Sequence, residues 1–393
     1  MSAPAETQPV LAALPLASGR RRLGDMATQI RETIQPDKKD ERPYLALEHI
    51  NSGDTVARRH GTSADVRSAK FAFRRGDVLY GKLRPYLDKA VLATFDGVAS
   101  TELLVLRARP DVDPQFLAFA MHSQRVQKHA IDTTAGVNHP RTSWENLRDL
   151  DVYCPPIDEQ LRIVRILLTI QRAKDAGASA VDHSQALRVA MTSKFFRNNW
   201  PMRPIGSMAK VGNGSTPKRD DPRYWKDGTI PWLTSAKIHE GRIEYADEFV
   251  TDTAIQECHL PLVPAGSVLI AITGQGKTLG NAALLAIDSC VSQHLAFIKL
   301  TSMDILPCFL HYYLSTRYED LRSVALGGGS TKGALTCGFL SGYPVPVPAI
   351  ADQQAVVDAL DSVALKLSTE RSVERALDVV FIAALRSLMG SGS

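Results

Sequence analysis

Residues 76–107 read GDVLYGKLRPYLDKAVLATFDGVASTELLVLR, and about 190 residues further on residues 266–299 read GSVLIAITGQGKTLGNAALLAIDSCVSQHLAFIK. The two stretches match except for a longer loop in the second. The register continues beyond them. FLAFAMHSQRV from Phe116 pairs with FLHYYLSTRYE from Phe309, and AGVNHPRTSWENLRDLDVYCPPIDEQ from Ala135 pairs with GGSTKGALTCGFLSGYPVPVPAIADQQ from Gly328. Earlier in each copy, LGDMA (23–27) pairs with IGSMA (205–209). Chance similarity rarely keeps one offset through so many blocks, and a repeat of this kind governs any assignment of fold. The chain is two tandem copies of one unit.

Each copy begins with a mixed α/β section, in which short β-rich runs such as VLY, AVLATF and ELLVLR are bounded by Gly and Pro. A helix follows around 114–130 in the first copy and 307–322 in the second, and a long proline-bounded helix closes each copy. The expected fold class is α/β (α+β), with a pseudo-twofold internal repeat. The expected segments are 1–156 (1–18 being a flexible arm), a central helix in 157–200, a second globular part at 201–347 and a distal helix in 348–393. Val356, Leu360, Val363, Leu367, Glu370, Glu374, Leu377, Phe381 and Leu388 fall on a four-three spacing, mostly apolar, as a coiled-coil seam requires. The central helix starts the same way with Ile163, Leu167 and Ile170, loses regularity at Gly177, and recovers at Leu187, Met191 and Phe195. Two arrangements fit: amphipathic helices covering their own domains, or an antiparallel pair holding two heads apart. Roughly 38 residues of helix span about 57 Å, more than one turn of DNA at about 34 Å.

The chain of 393 residues is 44% hydrophobic and 22% charged, with a net charge of +4 and a pI near 8.7. Those values exclude a disordered or collagen-like chain. They permit contact with a polyanion but leave it to local clusters. The richest apolar run, VVFIAAL at 379–385, is far short of the roughly 20 residues of a membrane helix. The arginines at the N-terminus follow a weak apolar stretch instead of preceding it, so no secretory signal is expected, and a cytoplasmic location is. Five cysteines (154, 258, 290, 308 and 337) are scattered without a C-x-x-C pair, so neither a zinc site nor a disulfide framework is indicated. No cofactor is expected in this chain.

ITGQGKT at 272–278 invites a phosphate-loop reading, which would make the chain a self-contained nucleotide-dependent enzyme using 271–278. That motif needs a glycine five residues before Gly276 and a helix directly after it. Ala271 occupies the first position, and LGNAALLAID, which follows, favours a strand. The adenine-methyltransferase motif [DNS]-P-P-[YFW] and G-x-G-x-x-G are both missing. PDKK at 36–39 lacks the further [DE]-x-K of a nuclease centre.

Taken together, YGKLRPYLDKA (80–90), GVASTELLVLR (97–107), PPIDEQLRIV (155–164), GNGSTPKRDDPRYW (212–225), IPWLTSAKI (230–238) and ITGQGKTLGNAAL (272–284) make the chain resemble the specificity subunit of type I restriction-modification enzymes. The resemblance covers essentially the whole chain. It implies two tandem target recognition domains separated by two long antiparallel helices forming a coiled-coil spacer. It also implies a non-catalytic reader of double-stranded DNA, each domain taking one half of a bipartite, asymmetric site. The helices would be both ruler and docking surface for methyltransferase subunits, which bind S-adenosylmethionine. Restriction subunits would add translocation driven by ATP with Mg. An adaptor of another methylation-based defence system is a related possibility. PAIADQQ, the second helix start, is looser than PPIDEQ.

Base edges are read by side-chain donors and acceptors, while phosphate contacts set register. Candidate DNA-binding residues in the first copy are Arg58, Arg59, His60, Lys82, Arg84, Tyr86, Lys89, Asn138, His139 and Arg141. In the second they are Thr216, Lys218, Arg219, Tyr224, Trp225, Lys237, Gln275, Lys277, Thr278, Thr331 and Lys332. The Gly-Lys-Thr loop is thus expected to meet the phosphate of a DNA backbone, and Gln275 suits adenine.

Overall fold

The computed structural model describes residues 19–390 apart from Val137, Gln275 and residues 328–333. The expected arm at 1–18 lies outside the described residues, as do three candidates, Gln275, Thr331 and Lys332. The chain forms two compact units, one made of the residues up to Ser179 together with those from Arg371, the other of Ala180–Glu370. This grouping departs from the expected succession of segments, because each unit takes one half of each long helix.

The repeat in sequence is a repeat in strand register. In the first unit a four-stranded sheet runs Ala27–Ile30, Leu103–Ala108, Val78–Gly81, Ala90–Leu92, each neighbour antiparallel. The second unit has the same order in Ala209–Asn213, Leu295–Leu300, Val268–Ala271 and Ala282–Leu285, with Arg242–Ile243 added in parallel at the edge. Leu103 faces Gly81 in one sheet, and Leu295 faces Ala271 in the other.

Strand residues alternate between two faces, and here both faces are buried. Val78, Tyr80, Leu104 and Leu106 pack with Phe116, Phe119 and the long helices, whereas Leu79, Val91, Leu103 and Val105 pack with Leu45 and Phe73 of a second sheet. The second unit divides in the same way, with Val268, Ile270 and Ile298 on the helix side and Leu269, Leu295 and Phe297 on the other. Each unit is therefore three layers deep. The continuous apolar runs VLY and VLIA are what a strand covered on both faces requires.

The single helix expected at 114–130 is two, Pro114–Met121 and Gln124–Asp132. Ser123 caps the second by accepting from the Val126 amide, and an N-cap residue holds an extended conformation that no helix can run through. The second copy likewise breaks at Arg317, between Pro307–Thr316 and Tyr318–Gly327.

The long helices are Ile157–Phe195 and Ile350–Leu388, 39 residues each. In the first unit their halves run antiparallel, Lys174 Nζ meeting Asp378 at 2.8 Å and Gly177 facing Leu377. Ile163, Leu167, Phe381 and Leu388 are buried there, and Ile170 is half-buried. In the second unit Val356, Leu360, Val363 and Leu367 are buried, with Met191 and Phe195 half-buried. Leu187 corrects the expected seam, being 43% exposed while Ser184 is 1% exposed. The four-three spacing counted from Ile163 passes through Lys174, Gly177, Val181, Ser184 and Arg188 before it reaches Met191. The helix keeps its register through polar and small residues, and the apparent loss at Gly177 is a change of residue type alone.

Candidate nucleic-acid interface

Both units close on a glutamine that pattern reading passes over. Gln160 is 1% exposed; its Nε2 donates to the carbonyls of Pro155 (2.8 Å) and Asp111 (3.2 Å), and its Oε1 accepts from the Asp113 amide (2.9 Å). Gln353 is 0% exposed and repeats the pattern with Pro348 (2.9 Å), Asp304 (2.7 Å) and the Leu306 amide (2.8 Å). The looser second helix start thus keeps the one side chain that matters mechanically. Each glutamine ties the start of a long helix to the start of the helix lying on the sheet.

At the opposite end of the central strands lie the loops singled out from sequence. In the first unit the chain leaves the sheet at Gly81 and returns at Ala90. Arg84 and Asp88, both at positive φ (51° and 48°), flank the Pro85–Leu87 turn. Residues 138–142 pack beside this loop: the Arg84 amide donates to the Pro140 carbonyl (2.8 Å) and the Thr142 amide to the Lys82 carbonyl (3.0 Å). Lys82, Arg84, Tyr86, Asn138 and His139 are thereby brought together. Arg84, Asn138 and His139 are exposed, Tyr86 is 56% exposed and Lys82 is half-buried. Among the described residues no side-chain partner meets Lys82 or Arg84. Arg141 joins the group but is held in a two-pronged pair with Glu102 at 3.0 and 3.2 Å.

The remaining first-unit candidates are engaged elsewhere. Arg58 pairs with Asp175 of the central helix, Arg59 bonds Asn51, and His60 sits against the Gly61 carbonyl and the Phe95 ring. Lys89 donates to the Leu47 carbonyl at 2.7 Å, an internal tie that sequence cannot reveal because its partner is a backbone atom.

The second unit builds an equivalent corner with different chemistry. The Leu335 amide donates to the Ile272 carbonyl (2.8 Å), the counterpart of Thr142 and Lys82. Thr216 bonds Gln293, Gln293 meets His294, and His294 meets Thr273. Thr278 meets Nε2 of His239 at 3.1 Å. Arg322 and Tyr318 donate to the carbonyls of Gly276 and Lys277, fixing the loop from below. The side chain of Lys277 is exposed and has no partner among the described residues. No helix follows the loop; Ala282–Leu285 is a strand, so the phosphate-loop reading is overturned. Glu102, His239, Gln293 and His294 belong to these corners and were not candidates, since each reaches the loop from a distant part of the chain.

Four other candidates are structural. The Arg219 guanidinium lies over the rings of Trp225 (4.2 Å) and Trp232 (4.6 Å) and pairs with Glu248. Trp225 packs edge-on against Trp232 and donates to the Lys218 carbonyl. Tyr224 donates to Glu257 at 2.8 Å, and that carboxylate pushes its phenol up to about 12. Lys237 is 6% exposed, between Glu240 (2.6 Å), Asp247 (3.4 Å) and the Tyr245 ring. Burial works against its charge, but the carboxylates prevail and its pKa is raised. Lys218, by contrast, is exposed and loosely placed 3.5 Å from Asp220.

Residues 197–375 match the family described as the Type I restriction modification DNA specificity domain. The chain is 23% identical over 226 residues to the specificity subunit of the Escherichia coli type I restriction enzyme EcoR124I/EcoR124II, covering 54% of this chain and 55% of that one. It is 21% identical to the putative MjaX specificity subunit of Methanocaldococcus jannaschii, over 91% of this chain and 90% of the relative. A chain from a solved type I R-M system superposes with a TM-score of 0.63 at 18% identity, covering 96% of this chain and all (100%) of its own. The type I S subunit from M. genitalium gives 0.61 at 15% identity, over 97% and 99%. Duplicated strand register and a whole-length likeness of fold agree with a second copy, residues 197–375, that matches the Type I restriction modification DNA specificity domain.

Proposed function

We propose that this chain reads DNA sequence for a type I restriction-modification complex, each unit taking one half of a bipartite site. The observation that carries this is the pair of equivalent corners. In both, a loop between two central strands is braced by a second loop from the end of the copy, and the braced loop carries cations (Lys82, Arg84, Lys277) that have no side-chain partner among the described residues. Their scaffold is common and their side chains differ, as two readers of different half-sites require. Positive charge anchors the phosphates, while amides, imidazoles and Tyr86 supply donors and acceptors for base edges.

Apart from the exposed Leu187, the helix residues expected to form the spacer seam are buried or half-buried within the chain. What the long helices offer a methyltransferase subunit is their outer face, where Leu161, Val189, Leu365, Val373 and Val379 are 42–71% exposed. Isolated exposed apolar residues are ordinary; repeated along two helices they suit a partner surface. S-adenosylmethionine, and ATP with Mg, are assigned to partner subunits. Among the described residues no helix is long and apolar enough to cross a membrane, and no group of three metal-ligating side chains occurs.

The test is to express the chain with its methyltransferase and map methylated adenines across the host genome. A split, asymmetric motif is expected, and exchanging residues 1–150 for those of a relative should alter one half of it. A contiguous motif, or both halves altered together, overturns the reading.

A further inference from the structure

His122 is 3% exposed, at the end of the helix Pro114–Met121, and the reading mechanism above makes no use of it. Its Nδ1 lies 2.7 Å from Oδ1 of Asp88, and its Nε2 lies 2.7 Å from the Ala90 carbonyl and 3.1 Å from that of Asp54. Both ring nitrogens face acceptors only. A neutral imidazole carries one N–H, so either tautomer would press a lone pair against an oxygen; only the imidazolium donates on both sides. Asp88 is the residue at positive φ that ends the turn in the recognition loop, and its carbonyl accepts from the Gly53 amide at 2.9 Å. Three pieces of chain therefore converge on one ring: the loop, the 53–54 segment and the returning strand.

We propose that His122 is the positioning residue of the first unit's recognition loop, fastening it as an imidazolium, so that sequence reading by this unit weakens when the proton is lost. The proposal rests on the reading role assigned above to loop 82–89. In the aligned blocks of the second copy the position belongs to Ser315, whose hydroxyl donates to the His311 carbonyl at 2.8 Å within its own helix. The second unit has no such lock at this position, and the two halves of the site should respond differently to pH.

The direction follows from the surroundings. Burial alone would lower the His122 pKa, but the Asp88 carboxylate and the two carbonyls outweigh it, and the value is raised above the ordinary one. Further charges line the cavity of about 600 Å³ beside the ring: Lys174 and Asp175 from the central helix, Glu374, Asp378 and Arg386 from the distal helix. Acidic groups outnumber basic ones there, and Asp54 adds another, so this wider ring of charge also favours the cation. With a raised folded-state pKa, the lock is complete below the unfolded value of ~6.5 and is lost as pH rises through the folded value.

The experiment uses the full chain with carbon-13 histidine, and duplexes in which one half of the mapped motif is scrambled. The His122 ring, assigned by its loss in His122→Gln, should titrate above the exposed histidines. Discrimination for the half assigned to residues 1–150 should fall about tenfold, near 1.4 kcal/mol, as pH rises through the His122 titration. His122→Gln should be weak below the native His122 titration and flat across it, with the other half unaffected in both proteins. A ring titrating at or below the exposed histidines overturns the proposal, as does a variant that keeps the native pH profile. Should the chain show no sequence preference at all, the reading role fails, and the lock is judged by Gly53 amide protection, whose pH dependence must vanish in His122→Gln. Should that variant not fold, Asp88→Asn must lower the His122 pKa, and an unchanged titration counts against the lock.

Discussion

Replacing Gln160 by leucine should cost the first unit about 3 kcal/mol and leave the second alone. The side chain is buried and makes three bonds, two donated to carbonyls and one accepted from the Asp113 amide. Each is worth about 1 kcal/mol net, and leucine fills most of the volume without replacing any of them. Asp113 in turn caps Pro114–Met121 by accepting from the Phe116 amide, so the loss should surface first at that helix. The assay is native-state hydrogen exchange in low urea, comparing amides of Pro114–Met121 with those of Pro307–Thr316. Opening at the first helix should become roughly a hundredfold more frequent, since about 1.4 kcal/mol is a factor of ten. Gln353→Leu should give the mirror image. A shift below about 1 kcal/mol, where single hydrogen bonds lie, or equal shifts at both helices for one substitution, would refute the idea that each unit is latched by its own glutamine.

Other outcomes follow from the same structure. Phe381→Ala should destabilise the first unit by about 3–5 kcal/mol in chemical unfolding, because the ring is 5% exposed, lies 6.4 Å from that of Phe119 and sits under the Lys174 ammonium. Arg84→Ala and Lys277→Ala should each weaken DNA binding and lower the slope of log K against log salt by about one. Lys89→Ala, which loses a tie to the Leu47 carbonyl, should leave that slope unchanged and lower stability. Gly214→Ala should abolish folding of the second unit, read as loss of its cooperative transition, since a Cβ there would lie 1.6 Å from the Val291 carbonyl oxygen.

The repeat was legible because strand register, turn glycines and proline-bounded helix starts all leave marks at fixed spacing. VLY and VLIA are buried on both faces, and the run of apolar residues says so without coordinates. Helix ends were less legible: Ser123 reads as an ordinary polar residue until its hydroxyl is seen to cap a new helix. The misassigned Leu187 shows the same weakness in another form. An apolar residue one place off register attracts attention, while Ser184, which occupies the seam, does not. Site residues divided according to where their partners come from. Lys82, Arg84, Tyr86 and Lys277 point out of loops whose own sequence announces them. Lys89, Arg219 and Lys237 share that composition but are committed to a carbonyl, two indoles and two carboxylates contributed by remote segments. Charge in a loop shows what a side chain could bind; only the fold shows whether it is already bound.

The distal helix carries a consequence for biosynthesis. Phe381, Ala384, Leu388 and Met389 complete the hydrophobic core of the unit whose strands are made first. A ribosome has therefore released the chain through Met389 before that unit can close, and the nascent first half must wait with an open apolar flank. The second unit lacks nothing once Glu370 has emerged. Maturation is thus expected to run against the direction of translation, the later-made unit finishing ahead of the earlier one.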